Sequence, residues 1–334
     1  MATQINPALA RIWLPDGSRQ YGYRKPLLVW SSSEADQRAL DYLEHGVSNS
    51  QFESLSQLAK IEDRALEHLL ERLGPAVRTG DGFAGQLSQT EIQDHFAELA
   101  RLFLECSDEP GEVLARRRAS RVFIESIGRV GLTITRGLES SFIGTMLTLD
   151  NSSVATSDIG PLGFETEDRG RPRVAAAKRA IQGLNLEQHS RLSRSMDTVD
   201  IAILIATDVV SPDSYAQWMR REIPHVSILF DESGVQVSPV VVPGITPCLA
   251  CAEIARIEQQ PDWVSIAPQL AQLDRTLEDS AMLFFAASIA LNQTLNLLDL
   301  GIEGSDQLSF RLERSGAVSS FQAQTSDCGC RSFR

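Results

Sequence analysis

The sequence predicts an α/β protein in which a small αβ module precedes a larger domain built on a mostly parallel sheet. Three observations lead to this prediction. Short apolar runs bounded by turns, and then helical periodicities, occupy residues 1–90. From residue 119 onward, a strand, a glycine turn, a helix and a second strand follow one another, and four cysteines form two close pairs. Residues 91–118 are predicted to be a helical connector.

The module begins with three predicted strands, at residues 10–14, 19–23 and 27–31. Pro-Asp-Gly and Arg-Lys-Pro separate them, and both are turn signals. Three helices follow, because apolar residues recur at helical spacing in three later segments, 35–43, 55–59 and 65–73. Gly46 and Gly74 are the expected helix ends. Three strands and three helices of this size favour a winged-helix arrangement.

A winged-helix module has three uses that the sequence leaves open. DNA binding is disfavoured, because residues 1–90 carry nine Lys or Arg against eleven Asp or Glu, and the last helix lacks a basic face. The second use is peptide capture, in which an extended segment adds to a sheet edge and a helix clamps it. The candidates for this contact are Leu28, Val29, Trp30, Leu66, Leu69 and Leu70. The third use is that of a folding domain without a ligand.

The connector is predicted to hold one amphipathic helix and a polar break. The helix accounts for the apolar residues Ile92, Phe96, Leu99, Leu102 and Phe103. Cys106 is expected to be a small buried apolar residue. The basic run at 116–118 is expected to be a solvated linker before the next strand.

Residues 120–154 predict the strand, glycine turn, helix and strand of a nucleotide-binding fold, with Asp150 after the second strand. In such folds the glycines let phosphate approach backbone N–H groups, and the acid binds ribose hydroxyls. Gly128 and Gly131 occupy the second and third glycine positions. Ser126 occupies the first, where a side chain crowds the tightest part of the turn. The topology is therefore expected to be Rossmann-like, with a damaged phosphate cradle.

The rest of the predicted sheet comes from two uninterrupted apolar runs, at residues 199–207 and 226–231. Runs without alternation are typical of parallel strands covered on both faces. Helical segments at 173–184 and 215–222 flank them. A mostly parallel sheet with helices on both faces follows.

The paired cysteines, Cys248 with Cys251 and Cys328 with Cys330, predict a four-thiolate zinc site. Two thiolates on one tight turn can both reach a tetrahedral ion. With four protein ligands such a site is structural, because no position stays open for substrate. Disulfides and unrelated free thiols are the alternatives.

The composition narrows the class of protein further. The net charge of −13 disfavours a nucleic-acid surface. We find no stretch apolar enough to span a bilayer and no signal peptide at the N-terminus, so a cytoplasmic protein with reduced thiols is expected. The apolar segment 280–300 is expected to be a core helix, with an interface as the alternative.

These residues, in this order, resemble the ThiF-type, ubiquitin-activating-enzyme-like fold. More closely, PGITPCLACAEIARIEQQPDWVSIAPQL and SDCGC resemble the ThiF-like cyclodehydratase subunits of thiazole/oxazole-modified microcin biosynthesis, the partners of YcaO proteins. The resemblance covers nearly the whole chain, since those subunits begin with a winged-helix leader-peptide-binding module of the PqqD type.

The resemblance implies a nucleotide pocket made of Ser126, Gly128, Gly131, Asp150, Lys178 and Asp208. Of these, Asp150, Lys178 and Asp208 match adenylating members by position. The segment after Asp150 lacks the asparagine-to-arginine motif of those members, and no arginine follows Asp208 until Arg220. We therefore expect a degenerate pocket in which ATP does not bind.

The function that this resemblance implies is a non-catalytic scaffold subunit. It would bind the leader of a ribosomally synthesised precursor peptide and present it to a YcaO-type cyclodehydratase, which forms azoline heterocycles. We expect no catalytic residue, because the zinc site uses four of the five cysteines and the five histidines are scattered. The alternative is an ATP-dependent adenylating enzyme whose missing groups come from a homodimer partner. A winged-helix regulator with a ligand domain is the third hypothesis.

Overall fold

The structure, a computed structural model, describes residues 2–29, 33–80, 82, 83, 85–105, 109–192, 194–304 and 307–331. Trp30 and Cys106 lie outside these ranges, and only the backbone is described at Leu28 and Val29. The chain divides into two compact units, Met1–Ala115 and Arg116–Arg334.

The described part of the first unit contains two small antiparallel sheets and a set of helices. The sheet orders are β5-β1-β6 and β2-β3-β4. The strands are β1 (Ala2–Ile5), β2 (Arg11–Trp13), β3 (Arg19–Tyr21), β4 (Leu27–Val29), β5 (Val47–Ser48) and β6 (Val77–Gly80). The helices are α1 (Glu34–His45), α2 (Asn49–Glu53), α3 (Leu55–Ala59), α4 (Asp63–Leu73), α5 (Gln89–Asp94) and α6 (Phe96–Glu105).

The three predicted strands of this unit and its helical periodicities are confirmed. The strands are β2, β3 and β4, and α1 and α4 end at Gly46 and Gly74, both of which have positive φ. The helices bury apolar faces around Leu40, Leu43 and Leu73, which are fully buried. Strands β1, β5 and β6, which form the second sheet, were not predicted from the sequence.

The connector differs from its prediction in two ways. Its apolar residues lie on two helices rather than one, because α5 ends at Asp94 and α6 begins at Phe96. The prediction that the basic run is a solvated linker is also wrong. It lies in α7 (Pro110–Ala119), and Arg117 is fully buried. The physical reason is Asp299, whose carboxylate oxygens accept from Arg117 Nε at 2.8 Å and Nη2 at 2.6 Å.

The second unit is built on one eight-stranded sheet with the order β14-β13-β12-β11-β10-β7-β8-β9. The strands are β7 (Arg121–Ile124), β8 (Thr145–Thr148), β9 (Leu186–Gln188), β10 (Ile201–Thr207), β11 (His225–Phe230), β12 (Gly234–Val237), β13 (Leu308–Glu313) and β14 (Val318–Gln322). Pairs from β9 across to β11 are parallel, and pairs from β11 to β14 are antiparallel.

Helices cover both faces of the parallel part. They are α8 (Arg129–Ser140), α9 (Arg173–Ala180), α10 (Pro212–Arg220), α11 (Leu249–Gln259), α12 (Trp263–Leu270) and α13 (Ser280–Leu300). In β10, Ile201 and Ile203 join one apolar cluster, whereas Ala202 and Leu204 join the other. Burial on both faces explains why this strand is an uninterrupted apolar run. The Rossmann-like α/β prediction is confirmed.

Helix α13 is long and apolar enough, by length and composition, to cross a membrane, which the sequence analysis overlooked. Its inward face packs against α8 and the sheet, with Leu283, Ala286 and Ala290 fully buried in the larger apolar cluster. The same helix carries Gln293 and Asp299, whose polar side chains are also buried. This burial is that of a core helix, as the sequence predicted.

Candidate functional site

The two cysteine pairs meet in space. Cys248 caps the N-terminus of α11 and Cys251 lies in its first turn, while Cys328 and Cys330 lie near the end of the chain. Their four sulfur atoms lie within 4.8 Å of one another, and all four thiols are free. Gly329, at φ 79, takes the left-handed conformation that turns the chain between the second pair.

The spacing of the sulfur atoms fits a tetrahedral metal ion. Zinc–sulfur bonds of about 2.3 Å place tetrahedral sulfurs about 3.8 Å apart. The sulfur of Cys248 lies 3.7 Å from that of Cys328, and that of Cys251 lies 3.7 Å from that of Cys330. Cys251 and Cys328 are closer, at 3.1 Å. The four residues could therefore bind a metal such as zinc.

The glycine turn between β7 and α8 has the form that the sequence predicted. A Cβ at Gly131 would lie 1.8 Å from the Ser126 carbonyl oxygen, so only glycine fits where the helix packs on the turn. A Cβ at Gly128 would instead meet side chains, with Asp158 Oδ1 at 3.4 Å and Arg173 Cζ at 3.6 Å. The space over the second glycine position is therefore occupied by the chain itself.

Asp150 turns inward to the glycine turn. Its Oδ2 accepts from the Ile127 backbone N–H at 2.7 Å, and its Oδ1 accepts from Ser152 N–H at 2.8 Å. Burial raises the pKa of the Asp150 carboxyl, but these hydrogen bonds and Arg173 outweigh it, so the pKa lies below its usual value. A turn N–H that could face a phosphate therefore donates to a carboxylate of the same chain.

Arg173, the first residue of α9, places its guanidinium between two aspartates. Its Nε and Nη2 donate to the carboxylate of Asp158 at 2.9 and 3.0 Å, and its Nη1 lies 3.4 Å from Asp150 Oδ2. The same Nη1 donates to Ser126 Oγ at 3.3 Å. This cluster of Ser126, Asp150, Asp158 and Arg173, called the turn cluster below, sets one guanidinium against two carboxylates and keeps one negative charge.

Asp208 follows β10 and is 4% exposed, with φ 65 in the left-handed region. Both of its oxygens accept from Arg275, one of them from Nε at 2.9 Å, and Arg275 Nη1 donates to Glu232 at 3.0 Å. The bond to Asp208 raises the pKa of Arg275 further. A metal ion at Asp208 would have to displace this arginine.

The structure brings together four of the six predicted pocket residues, Ser126, Gly128, Gly131 and Asp150. Lys178 is exposed on α9, and Arg173 of the same helix is the cation that reaches Asp150. The sequence analysis missed Arg173, Asp158 and Arg275. The arginine-rich segment 169–173 could have indicated Arg173. No local pattern indicates Arg275, which lies 67 residues after Asp208.

The proposed peptide-binding residues lie on two elements of the first unit. Leu28 and Val29 belong to β4, an edge strand of its sheet. Leu66 and Leu69 of α4 are 9% and 3% exposed in the apolar core of the module, and Leu70 packs against that core. These leucines therefore lie largely in the module's own interior. Trp13 and Tyr23 are among its exposed aromatic residues, at 59% and 68%.

Solved structures share this architecture over nearly the whole chain. E. coli MccB with AMPCPP and MccA matches with a TM-score of 0.71 and 13% identity, covering 98% of each chain. E. coli MccB with succinimide matches with a TM-score of 0.71 and 14% identity over the full length of both. PaaA matches with a TM-score of 0.68 and 18% identity, covering 96% of this chain and 99% of PaaA.

The chain has a ThiF-like fold. No protein-family model matches the sequence. By sequence, the chain is 22% identical over 166 residues to the heterocyst protein HesA of Trichormus variabilis, a match that covers 46% of this chain. The chain spans 60% of the length of that relative. The TM-scores establish the ThiF-like fold, and identities this low carry no information about the activity of this chain.

Proposed function

We propose that this chain is a non-catalytic scaffold subunit that binds the leader of a ribosomally synthesised precursor peptide. It presents that peptide to a YcaO-type cyclodehydratase, which forms the azoline heterocycles. The observation that carries the proposal is the self-occupied nucleotide pocket, because the turn cluster and the Asp208–Arg275 pair use the groups that phosphate and magnesium would need.

Adenylyl transfer depends on groups that stabilise the charge of the phosphates in the transition state. Here the Ile127 N–H is engaged by Asp150, and Arg173 is engaged by Asp158. Binding ATP would require breaking two partly buried ion pairs and leaving the aspartates uncompensated, which is costly in a low-dielectric site. The engagement of these two groups supports a role in binding rather than in phosphoryl chemistry.

Peptide capture is assigned to the first unit. Its strand β4 lies at a sheet edge, where an extended peptide can pair with backbone N–H and C=O groups. Precedent for a peptide-like partner comes from the solved structures, since MccB has been solved in complex with N-formylated MccA. Because α4 directs Leu66 and Leu69 into the core, the strand rather than these leucines would supply the main contact.

The zinc site of Cys248, Cys251, Cys328 and Cys330 has a structural part in this proposal. When bound, zinc would supply cross-links between α11 and the end of the chain, which are 77 to 80 residues apart at the sulfur contacts. These cross-links would make the surface on which the partner enzyme docks more rigid. Holding leader and enzyme together raises the local concentration of the core residues at the partner's active site.

Calorimetric titration of the full zinc-replete chain with Mg-ATP tests the proposal without a precursor or partner. We expect no heat of binding from the wild type. The matched variants Asp150→Ala and Asp208→Ala show whether any heat comes from this pocket. Micromolar binding that disappears in both variants would overturn the scaffold assignment.

The capture step is tested by titrating the precursor leader into the full chain and into Leu28→Asp. A charge at β4 should weaken leader binding at least tenfold while the second unit keeps its stability. Leu58→Asp, at an exposed position of α3, is the control for adding a charge to the module. Equal affinity in the wild type and Leu28→Asp would place the leader elsewhere.

An adenylating enzyme is the second candidate function. The observation in its favour is the shared fold with E. coli MccB, which has been solved with ATP and is described as a microcin C7 biosynthetic enzyme. For this chain to act in that way, Arg173 and Arg275 would have to leave their aspartates when ATP binds. The calorimetric experiment decides between the two candidates.

A further inference from the structure

The two cysteine pairs differ in their access to solvent. Cys248 and Cys251 are 5% and 0% exposed, and they pack in an apolar cluster with the buried Val241. Cys328 and Cys330 are half-buried, so solvent reaches the second pair. A small oxidant that approaches these four residues, called the cysteine cluster below, therefore meets the second pair first.

One sulfur atom of each pair lies closer to the other than a shared metal ion requires. The sulfur atoms of Cys251 and Cys328 are 3.1 Å apart, whereas tetrahedral thiolates around zinc are about 3.8 Å apart. A disulfide bond is about 2.05 Å long, so a shift of about 1 Å would join these two atoms. The buried cysteine of one element and a half-buried cysteine of another are thus placed to form a disulfide.

Few hydrogen bonds hold the segment that would make this shift. After β14, residues 323–331 form no further helix or strand. Among the described residues, two hydrogen bonds join this segment to the rest of the second unit apart from the sulfur–sulfur contacts. The Ala323 N–H donates to the Gln307 carbonyl at 3.3 Å, and the Cys251 sulfur donates to the Ser326 carbonyl at 4.0 Å. The sulfur of Cys328 can therefore move toward Cys251 without disturbing the sheet.

We propose that the cysteine cluster is a peroxide-sensitive redox site as well as a metal site. Cys328 is the sulfur that peroxide oxidises, because it is half-buried. Cys251 is the sulfur that then forms the disulfide with it, because it is near and shielded from the oxidant. The inference concerns the second unit alone and does not depend on leader binding or on the partner enzyme.

The reaction consumes two thiolates, one hydrogen peroxide and two protons. The Cys328 thiolate attacks one peroxide oxygen, the O–O bond breaks, and the departing hydroxide takes a proton to become water. The Cys251 thiolate then attacks the sulfur of the resulting sulfenic acid, the S–O bond breaks, and a second water leaves. The two sulfur atoms lose two electrons to the peroxide. Two of the four thiolates are then no longer available as ligands, so the metal is released.

The disulfide would preserve the cross-link that the metal provides in the reduced chain. It joins α11 to the end of the chain across 77 positions, between the same elements that zinc would join. Closing a long loop in this way stabilises a fold by restricting the unfolded chain. The second unit therefore stays folded when oxidation removes the metal, and reduction in the presence of zinc restores the site.

The test uses the full zinc-loaded chain with Cys106→Ser, so that the cluster holds its only cysteines. Hydrogen peroxide is added in steps while a chromogenic chelator reports free zinc. We expect the release of one zinc per chain, a disulfide between Cys251 and Cys328 in a non-reducing peptide map, and an unchanged circular dichroism spectrum. Dithiothreitol and added zinc should reverse all three changes from the starting state.

Two matched variants separate the disulfide from the metal. Cys330→Ser and Cys328→Ser each remove one ligand and should lose zinc, but only Cys330→Ser keeps the proposed sulfur pair. Refolding in a glutathione redox buffer should therefore give a folded Cys330→Ser and an unfolded Cys328→Ser, as measured by circular dichroism. Equal behaviour of the two variants would contradict a disulfide that replaces the metal.

The experiment on the zinc-loaded chain has further outcomes that would overturn the proposal. They are zinc release with sulfinic acid and no disulfide, a disulfide within either close pair, unfolding on oxidation, and zinc that stays bound at peroxide concentrations that oxidise free glutathione. A chain purified without zinc contradicts the zinc site alone, and its peptide map still decides the sulfur pair. Leader and Mg-ATP binding are measured on the reduced chain, so failure of the proposed function is distinguished from failure of this inference.

Discussion

Arg275 closes over the carboxylate of Asp208, so the acid that follows β10 is paired with a residue 67 positions later in the chain. Arg275 lies in the irregular segment between α12 and α13, and two further contacts hold that segment to α8 and to the turn after β13. Arg129 Nη1 donates to the Glu278 carbonyl at 3.2 Å, and Arg314 Nη2 donates to the Leu277 carbonyl at 2.9 Å. The segment thereby crosses the carboxyl ends of the parallel strands, where ligands of such sheets bind.

Removing the arginine of this pair should destabilise the second unit. Arg275→Met leaves a nearly buried carboxylate without its charged donor, which we expect to lower the free energy of unfolding by about 1–3 kcal/mol. Asp208→Asn combined with Arg275→Met should recover part of that loss. Urea unfolding of the wild type, of the single variants Asp208→Asn and Arg275→Met, and of the double variant gives the coupling energy of the pair. Arg220→Met, which removes an exposed arginine of α10, is the control.

A coupling energy near zero would contradict this assignment of the Asp208–Arg275 pair. It would mean that Asp208 is compensated by other groups and that Arg275 is free to leave. The self-occupied pocket would then lose one of its two supports, and magnesium binding at Asp208 would need a direct test by titration.

Loss of one cysteine should remove the metal and destabilise the second unit. Bound structural zinc contributes about 10 kcal/mol or more to folding, so Cys328→Ser should unfold this unit under conditions in which the wild type is stable. Elemental analysis should find one zinc per chain in the wild type and none in the variant. Cys106→Ser, the fifth cysteine, should keep the metal. A metal-free wild type with an equally stable Cys328→Ser would refute the zinc site.

Local patterns in the sequence predict the elements that local forces determine. Spacing and periodicity predict three features that the structure contains. They are the strand, glycine turn and helix at Gly128 and Gly131, the burial of β10 on both faces, and the meeting of the two cysteine pairs. The antiparallel extension from β12 to β14 was missed. All five residues of β14 are exposed, so no pattern of burial marks it in the sequence.

Pairs that form across long separations were also missed, because nothing in a window of neighbouring residues encodes them. Arg117 and Asp299 are 182 positions apart, and Arg173 and Asp150 are 23 apart. From the sequence, Arg117 was expected to be solvated, and Arg173 was not assigned to the nucleotide motif. In the fold, each arginine pairs with a buried aspartate. The sequence predicts a degenerate pocket from Ser126 and the missing arginine motif, whereas the contacts of Arg173 with Asp150 and of Arg275 with Asp208 are found only in the fold.

The buried pair of Arg117 and Asp299 should matter strongly for stability. Their side chains are 0% and 1% exposed, and Asp299→Asn leaves the guanidinium buried without its counter-charge. We expect a loss of about 3–5 kcal/mol in the free energy of unfolding. The double variant Arg117→Met, Asp299→Leu should recover most of it, because it removes both charges. Arg118→Met, exposed on the same helix, should change stability by less than about 0.5 kcal/mol. A similar loss in the double variant would show that packing, rather than charge, explains the effect.

His225 should make the second unit sensitive to acid. Its ring is fully buried at the start of β11, Nδ1–H donates to the Ile223 carbonyl at 3.1 Å, and Nε2 has no partner within the described ranges. Burial lowers the pKa of this histidine to about 4, against 6.5 in the unfolded chain. At neutral pH the ring is uncharged in both states, so its contribution to stability is complete. Below pH 6.5 the unfolded chain takes up the proton first, and the contribution declines until the pH reaches about 4.

The expected loss over this interval is about 3 kcal/mol, from a shift of about 2.5 pH units. His225→Gln does not titrate there, so its free energy of unfolding should fall by about 3 kcal/mol less than that of the wild type between pH 7 and pH 4. The comparison subtracts the carboxylates, which titrate in both proteins. The direct measurement is the NMR titration of the His225 ring nitrogens in the folded chain. A midpoint near 6.5 would show that water reaches the ring, and the two proteins would then lose stability in parallel.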